Sequence, residues 1–322
     1  QLTASHAYWC EGRPTEGGRV ALVRRDGSGA TVELGPPGFN LRTRVHEYGG
    51  RAYAVRGDLV VGCEMASQSL HRLAPGSAVP LTPPSSGGLR YADLLPDTAR
   101  RRVLAVREDH RGQGEPVTTL GAVPLDGGPH EGAVLARGHD FFAAPALSAD
   151  GRRLAWLTWD HPAMPWDETS LWVAALDAAG MPTDVRRLAG GSGESVMQPL
   201  WLSDGSLVYA SDRSGWWNLW RWDGAGHRAL CPMAAEFAGP LWQLGVRWFD
   251  ALDAGTLAVT IGEDGFGRLA RLRTADGDLT PLGPTIVDYG EPSCAAGRVL
   301  VLARTVDRPP ELRRAGHGSG DD

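Results

Sequence analysis

Apolar residues in this chain come in short runs, each closed by a cluster of turn formers. Between positions 197 and 231 the sequence MQPLWLSDGSLVYASDRSGWWNLWRWDGAGHRALC carries four such runs, at 197–202, 206–212, 218–223 and 227–231. The breaks are Ser203-Asp204-Gly205, Arg213-Ser214-Gly215 and Gly224-Ala225-Gly226. Residues that reach positive φ, or whose side chains mimic backbone, set between β-branched and aromatic runs, predict antiparallel hairpins. The 3.6-residue periodicity and capping signals of helices are nearly missing. A single four-stranded unit of this size cannot cover both of its faces, so it requires neighbours of the same kind.

The chain supplies them. The second run, SLVYASD, has relatives in AYWCEG, LVVGCEM, RVLAVRED, RLAWLTWD, TLAVTIGED and RVLVLART, which begin at Ala7, Leu59, Arg102, Arg153, Thr256 and Arg298. Most follow a small or acidic turn, and the spacing is about forty to fifty residues, the length of a propeller blade. The expected fold is all-β: a seven-bladed β-propeller of four-stranded antiparallel blades over 1–314. Blades fall at roughly 1–35, 44–83, 89–137, 141–190, 195–232, 240–283 and 287–314, with 315–322 a polar tail or the start of a linker. The first and last blades are expected to be incomplete, each one strand short, as if the chain came from something longer. Tryptophans 201, 217, 220 and 222 are expected to fill the wedge between blades, which widens away from the axis.

Composition narrows the partners. The net charge of −6 comes without a basic stripe and argues against nucleic acid. Every basic side chain other than histidine is arginine, because lysine does not occur. No apolar run reaches the length of a membrane span, and no membrane partner is expected. The four cysteines are far apart and lie within apolar runs, which predicts buried free thiols and a cytoplasmic setting.

Motifs for chemistry are sparse. No G-x-S-x-G or H-E-x-x-H occurs. Gly265-x-Gly267-x-x-Ala270 lies between strands with no helix to follow, and so reads as a turn. Histidine spacing suits no metal. Catalytic residues, metal and cofactor are therefore expected to be none. Three stretches exceed what a scaffold needs. The first includes Arg44, His46, Glu47 and Tyr48. The second runs through Trp159, Asp160, His161, Trp166 and Asp167. The third contains Asp212, Arg213, Trp216 and Trp217. They are the candidates for lining the channel or meeting a partner; structural roles, as turns and inter-blade ion pairs, remain open for each.

At HEYGGRAY (46–53), SADGRRLAWLTWDHPAMPWDETSLWVAALD (148–177) and SDGSLVYASDRSGWWNLWRWD (203–223) the chain resembles the N-terminal β-propeller of prolyl oligopeptidase-family serine peptidases. It is most similar to members described as acylaminoacyl peptidases or dipeptidyl aminopeptidases. The resemblance implies a partner, an α/β-hydrolase domain with a Ser-Asp-His triad, which lies outside this sequence. It also implies short peptide substrates and a non-catalytic, gating role for the propeller. The paired glutamates that hold the substrate amine in dipeptidyl members have no counterpart here, since no Glu-Glu pair occurs. The alternative is a free-standing propeller that binds a protein or peptide.

Overall fold

A computed structural model describes residues 1–128 and 130–316 of the chain. Seven antiparallel sheets follow one another in chain order. Blade 1 holds Ala7–Arg13, Arg19–Arg25 and Thr31–Leu34. Blade 2 holds Tyr53–Arg56, Leu59–Cys63, Leu70–Ala74 and Ser77–Pro80. Blade 3 is Leu89–Asp97, Arg102–Asp109, Val117–Pro124 and Ala133–Ala136. Blade 4 is Phe141–Leu147, Arg153–Trp159, Ser170–Leu176 and Pro182–Gly190. Blade 5 is Val196–Trp201, Leu207–Ser211, Asn218–Trp222 and His227–Ala229. Blade 6 is Phe249–Ala251, Thr256–Glu263, Phe266–Arg273 and Leu279–Pro281. Blade 7 closes the order with Asp288–Ala295, Arg298–Arg304 and Glu311–Gly316. The first and last sheets have three strands and the other five have four. The one helical element among the described residues is a single 3₁₀ turn, Pro14–Glu16.

Two faces of every blade are apolar because each packs on a neighbour. In blade 4, Leu154, Ala155, Trp156 and Leu157 are all buried although they alternate sides. The tryptophan wedge is found where it was expected. Trp201 and Trp222 meet edge-on at 6.2 Å, and the guanidinium groups of Arg153 and Arg186 cap them at 4.4 and 5.2 Å. Trp220 lies under Arg213 at 4.5 Å.

The inner strands carry a device the hydrophobic pattern does not show. The ladder slips beside Asp93, Ala144, Gln198 and Glu291, and each of these has a φ of 46–53°. Such bulges turn the strand and free its groups for the next blade. Asp93 accepts the Ala144 N–H of blade 4 at 2.6 Å, and Gln198 accepts the Trp248 N–H ahead of blade 6 at 2.6 Å. A proline follows three of the four, as Pro145, Pro199 and Pro292. Proline inside a strand is tolerated at a bulge, so the mark was present in the sequence.

Two details differ from expectation. The third strand of blade 7 runs to Gly316, so only 317–322 of the expected tail are left, and these lie outside the described residues. The four cysteines are free, but only Cys63 is buried: Cys10 is exposed, and Cys231 and Cys294 are half-buried.

Candidate functional site: a strapped mouth of the ring

Antiparallel order decides which loops share an end of the ring. Connections from second to third strand, and from fourth strand to the next blade, emerge on the same face. All three candidate stretches are connections of these two kinds, so they converge on one mouth.

The first stretch is held over the inner ends of blades 3 and 4. Arg90 donates to the Arg44 carbonyl at 2.8 Å and to Glu47 at 2.6 Å, and the His46 N–H donates to Glu108 at 3.1 Å. His46 and Glu47 both have positive φ, 54° and 59°. This kink turns the His46 ring onto Phe141 and Trp159, at 5.1 and 6.0 Å, both edge-on. Phe141 and Trp159 are themselves stacked at 5.1 Å. Burial pushes the His46 imidazole below its ordinary value, so it is neutral near pH 7, and its buried Nε2 has no partner.

A segment that sequence reasoning missed meets this one. Residues 231–248 join blade 5 to blade 6 and run as a strap across the mouth. Near blade 5 the strap receives the Trp217 N–H on Glu236 at 2.7 Å. Over blade 4, Trp242 packs on Trp166 at 4.4 Å. At its far end Leu244 bridges Gly50 in parallel, and the Leu244 carbonyl accepts the Arg51 N–H at 2.8 Å. Gln243 donates to the Tyr48 carbonyl at 3.2 Å. Blades 7 and 1 stand between blade 6 and blade 2 around the ring, so this contact reaches across the axis. Gly50 is required there: a Cβ would stand 2.8 Å from Leu244 N and closer still to its carbonyl oxygen. The available signal was length, since 35–52 and 230–248 are unusually long for connections without strands of their own.

Below the strap the channel wall is charged. Arg51 pairs with Glu291 at 2.9 Å. Burial raises the pKa values of Asp93 and Asp250 and lowers that of Arg247, whose guanidinium also feels Arg51. Burial likewise raises Asp212 and Glu236 beside the blade 5 loop.

The remaining candidates divide. Asp160 accepts from His139 at 2.8 Å and from the Asp140 N–H at 2.8 Å, and the His161 N–H goes to Asp140 at 2.9 Å. Asp167 caps the Met164 N–H at 2.9 Å. Arg213 is tied to Glu194 at 2.7 Å, and Asp212 holds the Ser195 N–H at 2.8 Å. These five shape loops. Tyr48 and Trp216, by contrast, are 70% and 42% exposed, and Trp242 is 61% exposed. Trp217 lies half-buried and donates to Ser195 at 3.2 Å. No group of three or more metal-ligating side chains occurs among the described residues, and no helix there is long and apolar enough to cross a membrane.

No protein-family model matches the sequence. No curated protein matches it either. Solved structures do. A puromycin hydrolase shares 37% identity at a TM-score of 0.91, over 97% of this chain and 50% of that one. A puromycin-hydrolyzing peptidase of Mycobacterium tuberculosis shares 36% identity at 0.90, over 98% and 50%. A prolyl oligopeptidase B of Galerina marginata shares the fold alone, at 13% identity and a TM-score of 0.65. The chain thus spans about half the length of the peptidases it matches. It is homologous to the propeller portion of prolyl oligopeptidase-family peptidases.

Proposed function

We propose that this propeller is the non-catalytic half of a serine oligopeptidase or acylaminoacyl peptidase. It docks an α/β-hydrolase domain on its strapped mouth and restricts access there to short, flexible peptides. The observation that carries the reading is the placement of exposed apolar side chains. Tyr48, Met164, Trp216, Trp242 and Val306 are exposed and belong to the connections at that mouth, and exposed Phe266 opens a strand at the same end. Apolar groups gathered on one end of a water-exposed ring favour a protein partner or an apolar ligand. The strap refines the role. A mouth spanned from blade 5 to blade 2 is a floor under the reaction chamber rather than an open axial pore, and peptides enter from the side or when the strap lifts. The free thiols suit a reducing, cytoplasmic compartment.

The test uses the parent polypeptide joined to its hydrolase domain, with peptides of two to thirty residues as substrates. Trp216→Ser and Trp242→Ser are expected to lower kcat/KM for short peptides about tenfold, and to raise the length limit. Unchanged kinetics and an unchanged limit in both variants would remove the mouth from function. Saturable peptide binding by the propeller alone, unaffected by a hydrolase domain, would favour a free-standing binding module.

A further inference from the structure

The inner strands of blades 2 and 3 are each entered from a connection at the strapped mouth, so they end away from it. Toward those far ends, Val55, Arg56, Leu95 and Pro96 line a cavity of about 220 Å³ together with Arg51 and Arg247. Arg51 stands where the strap lands, its N–H bonded to the Leu244 carbonyl at 2.8 Å. Arg247 is the second residue before the inner strand of blade 6. Three arginine side chains thus border one small space, and no described carboxylate lines it.

The acids whose charge reaches Arg247 are already engaged. Asp93 accepts the Ala144 N–H at 2.6 Å. Asp250 accepts the Cys294 N–H at 2.8 Å and the Ala251 N–H at 2.9 Å, and Glu291 pairs with Arg51 at 2.9 Å. Arg56 donates to the Pro96 carbonyl at 3.5 Å. Arg247 has neither a hydrogen bond nor an ion pair among the described residues. A guanidinium carries five N–H donors in a planar fork, and enclosing it without a partner is costly. Burial, and then the Arg51 charge, hold the Arg247 pKa below its ordinary value; Asp250, Asp93 and Glu291 oppose the shift without cancelling it. The protein itself leaves this cation unbalanced.

We propose that the cavity binds a small oxyanion, gripped bidentate by Arg247, with Arg51 and Arg56 adding positive charge. Two sources share that chemistry: the carboxylate of a free amino acid or dipeptide, and inorganic phosphate. The landing of the strap on Gly50 and Arg51 lies between the cavity and the mouth, so the anion arrives through the opposite end of the ring. The site is therefore separate from the docking mouth and does not depend on what docks there.

The test is titration calorimetry on the parent polypeptide with sodium phosphate, glycylglycine, glycylglycine amide and, at matched ionic strength, sodium chloride. Arg247→Met and Arg56→Met are titrated in parallel, and the binding lost in Arg247→Met is the binding at this site. Phosphate or glycylglycine is expected to bind saturably at millimolar concentration, and Arg247→Met to weaken it at least tenfold. Arg56→Met is expected to weaken it less, and the amide and chloride are expected to show no such component. Tighter binding of glycylglycine assigns the site to a peptide carboxylate, and tighter binding of phosphate to the inorganic anion. Without added anion, the Tm of Arg247→Met is expected to equal or exceed that of the parent, because an unpaired enclosed charge has been removed. Absence of saturable binding by both oxyanions, or equal binding in Arg247→Met, would overturn the proposal. So would a lower Tm in Arg247→Met, which would show that the guanidinium already has its partner within the protein.

Discussion

Blades 3 to 6 and the contact between blades 7 and 1 are built from the same repeat, yet they are held in different ways. From Ala92 to Leu272 one continuous cluster of forty buried residues runs through four blades and includes Val45 of the first mouth segment. Between blades 7 and 1 the buried cluster is Leu2, Ala7 and Leu300 alone. What joins the two blades there is largely polar: Leu2 N–H to Ser293 at 2.9 Å, and Arg298 to the Ala4 carbonyl at 2.7 Å. Between them lies a cavity of about 1050 Å³, lined by Trp9 and Cys10 of blade 1 and Leu300 of blade 7 among others. Apart from the strap, the blades contact their neighbours in the ring, so stability is largely a sum over interfaces and local opening begins where one is thin.

The largest expected effect tests the thick side of that comparison. Leu104→Ala removes a fully buried side chain from the large cluster and should cost about 2–5 kcal/mol in denaturant unfolding. Leu300→Ala should cost about 1–2 kcal/mol, because it widens a cavity that already exists. Equal losses would break the comparison.

Next is the strap. Gly50→Ala forces a Cβ against the Leu244 backbone and should cost about 1–3 kcal/mol. It should also expose 239–247 to limited proteolysis while the exchange-protected core of blades 3 to 6 stays intact. Cleavage no faster than in the parent chain would mean that the strap is held elsewhere.

The smallest effect concerns His46. Burial against Phe141 and Trp159 lowers its pKa below the ordinary 6.5, with Glu108 opposing the shift. Below pH 6.5 the unfolded chain thus binds more protons at this site than the folded one, and stability falls as the pH drops through that region. Glu108, His110, Arg90 and Glu47 surround it. His46→Phe keeps the aromatic packing and should flatten the fall between pH 7 and 5. An unchanged slope would mean that His46 does not carry the fall.

The candidate site was partly legible. Trp159 and His46 were singled out from far-separated motifs, and the structure sets them 6.0 Å apart. Trp166 was named, but its partner Trp242 was not, because a tryptophan in a long connection gives no sign of which blade it reaches. Asp160, His161 and Asp167 were named as channel or interface candidates with a turn role left open; the Asp160 and Asp167 carboxylates satisfy N–H groups in nearby loops, as Asx side chains do whether or not a ligand is near.

The sequence by itself determined the repeat, the number of blades, the strand order and the shortfall at both ends. Those depend on short apolar runs and turn chemistry, which are local and act within one blade. Only the tertiary structure decided that the mouth is strapped and that the inner strands bulge into their neighbours. Each of these depends on which backbone groups meet across the ring, between residues as distant as Gly50 and Leu244, and no periodicity along a chain records such a meeting.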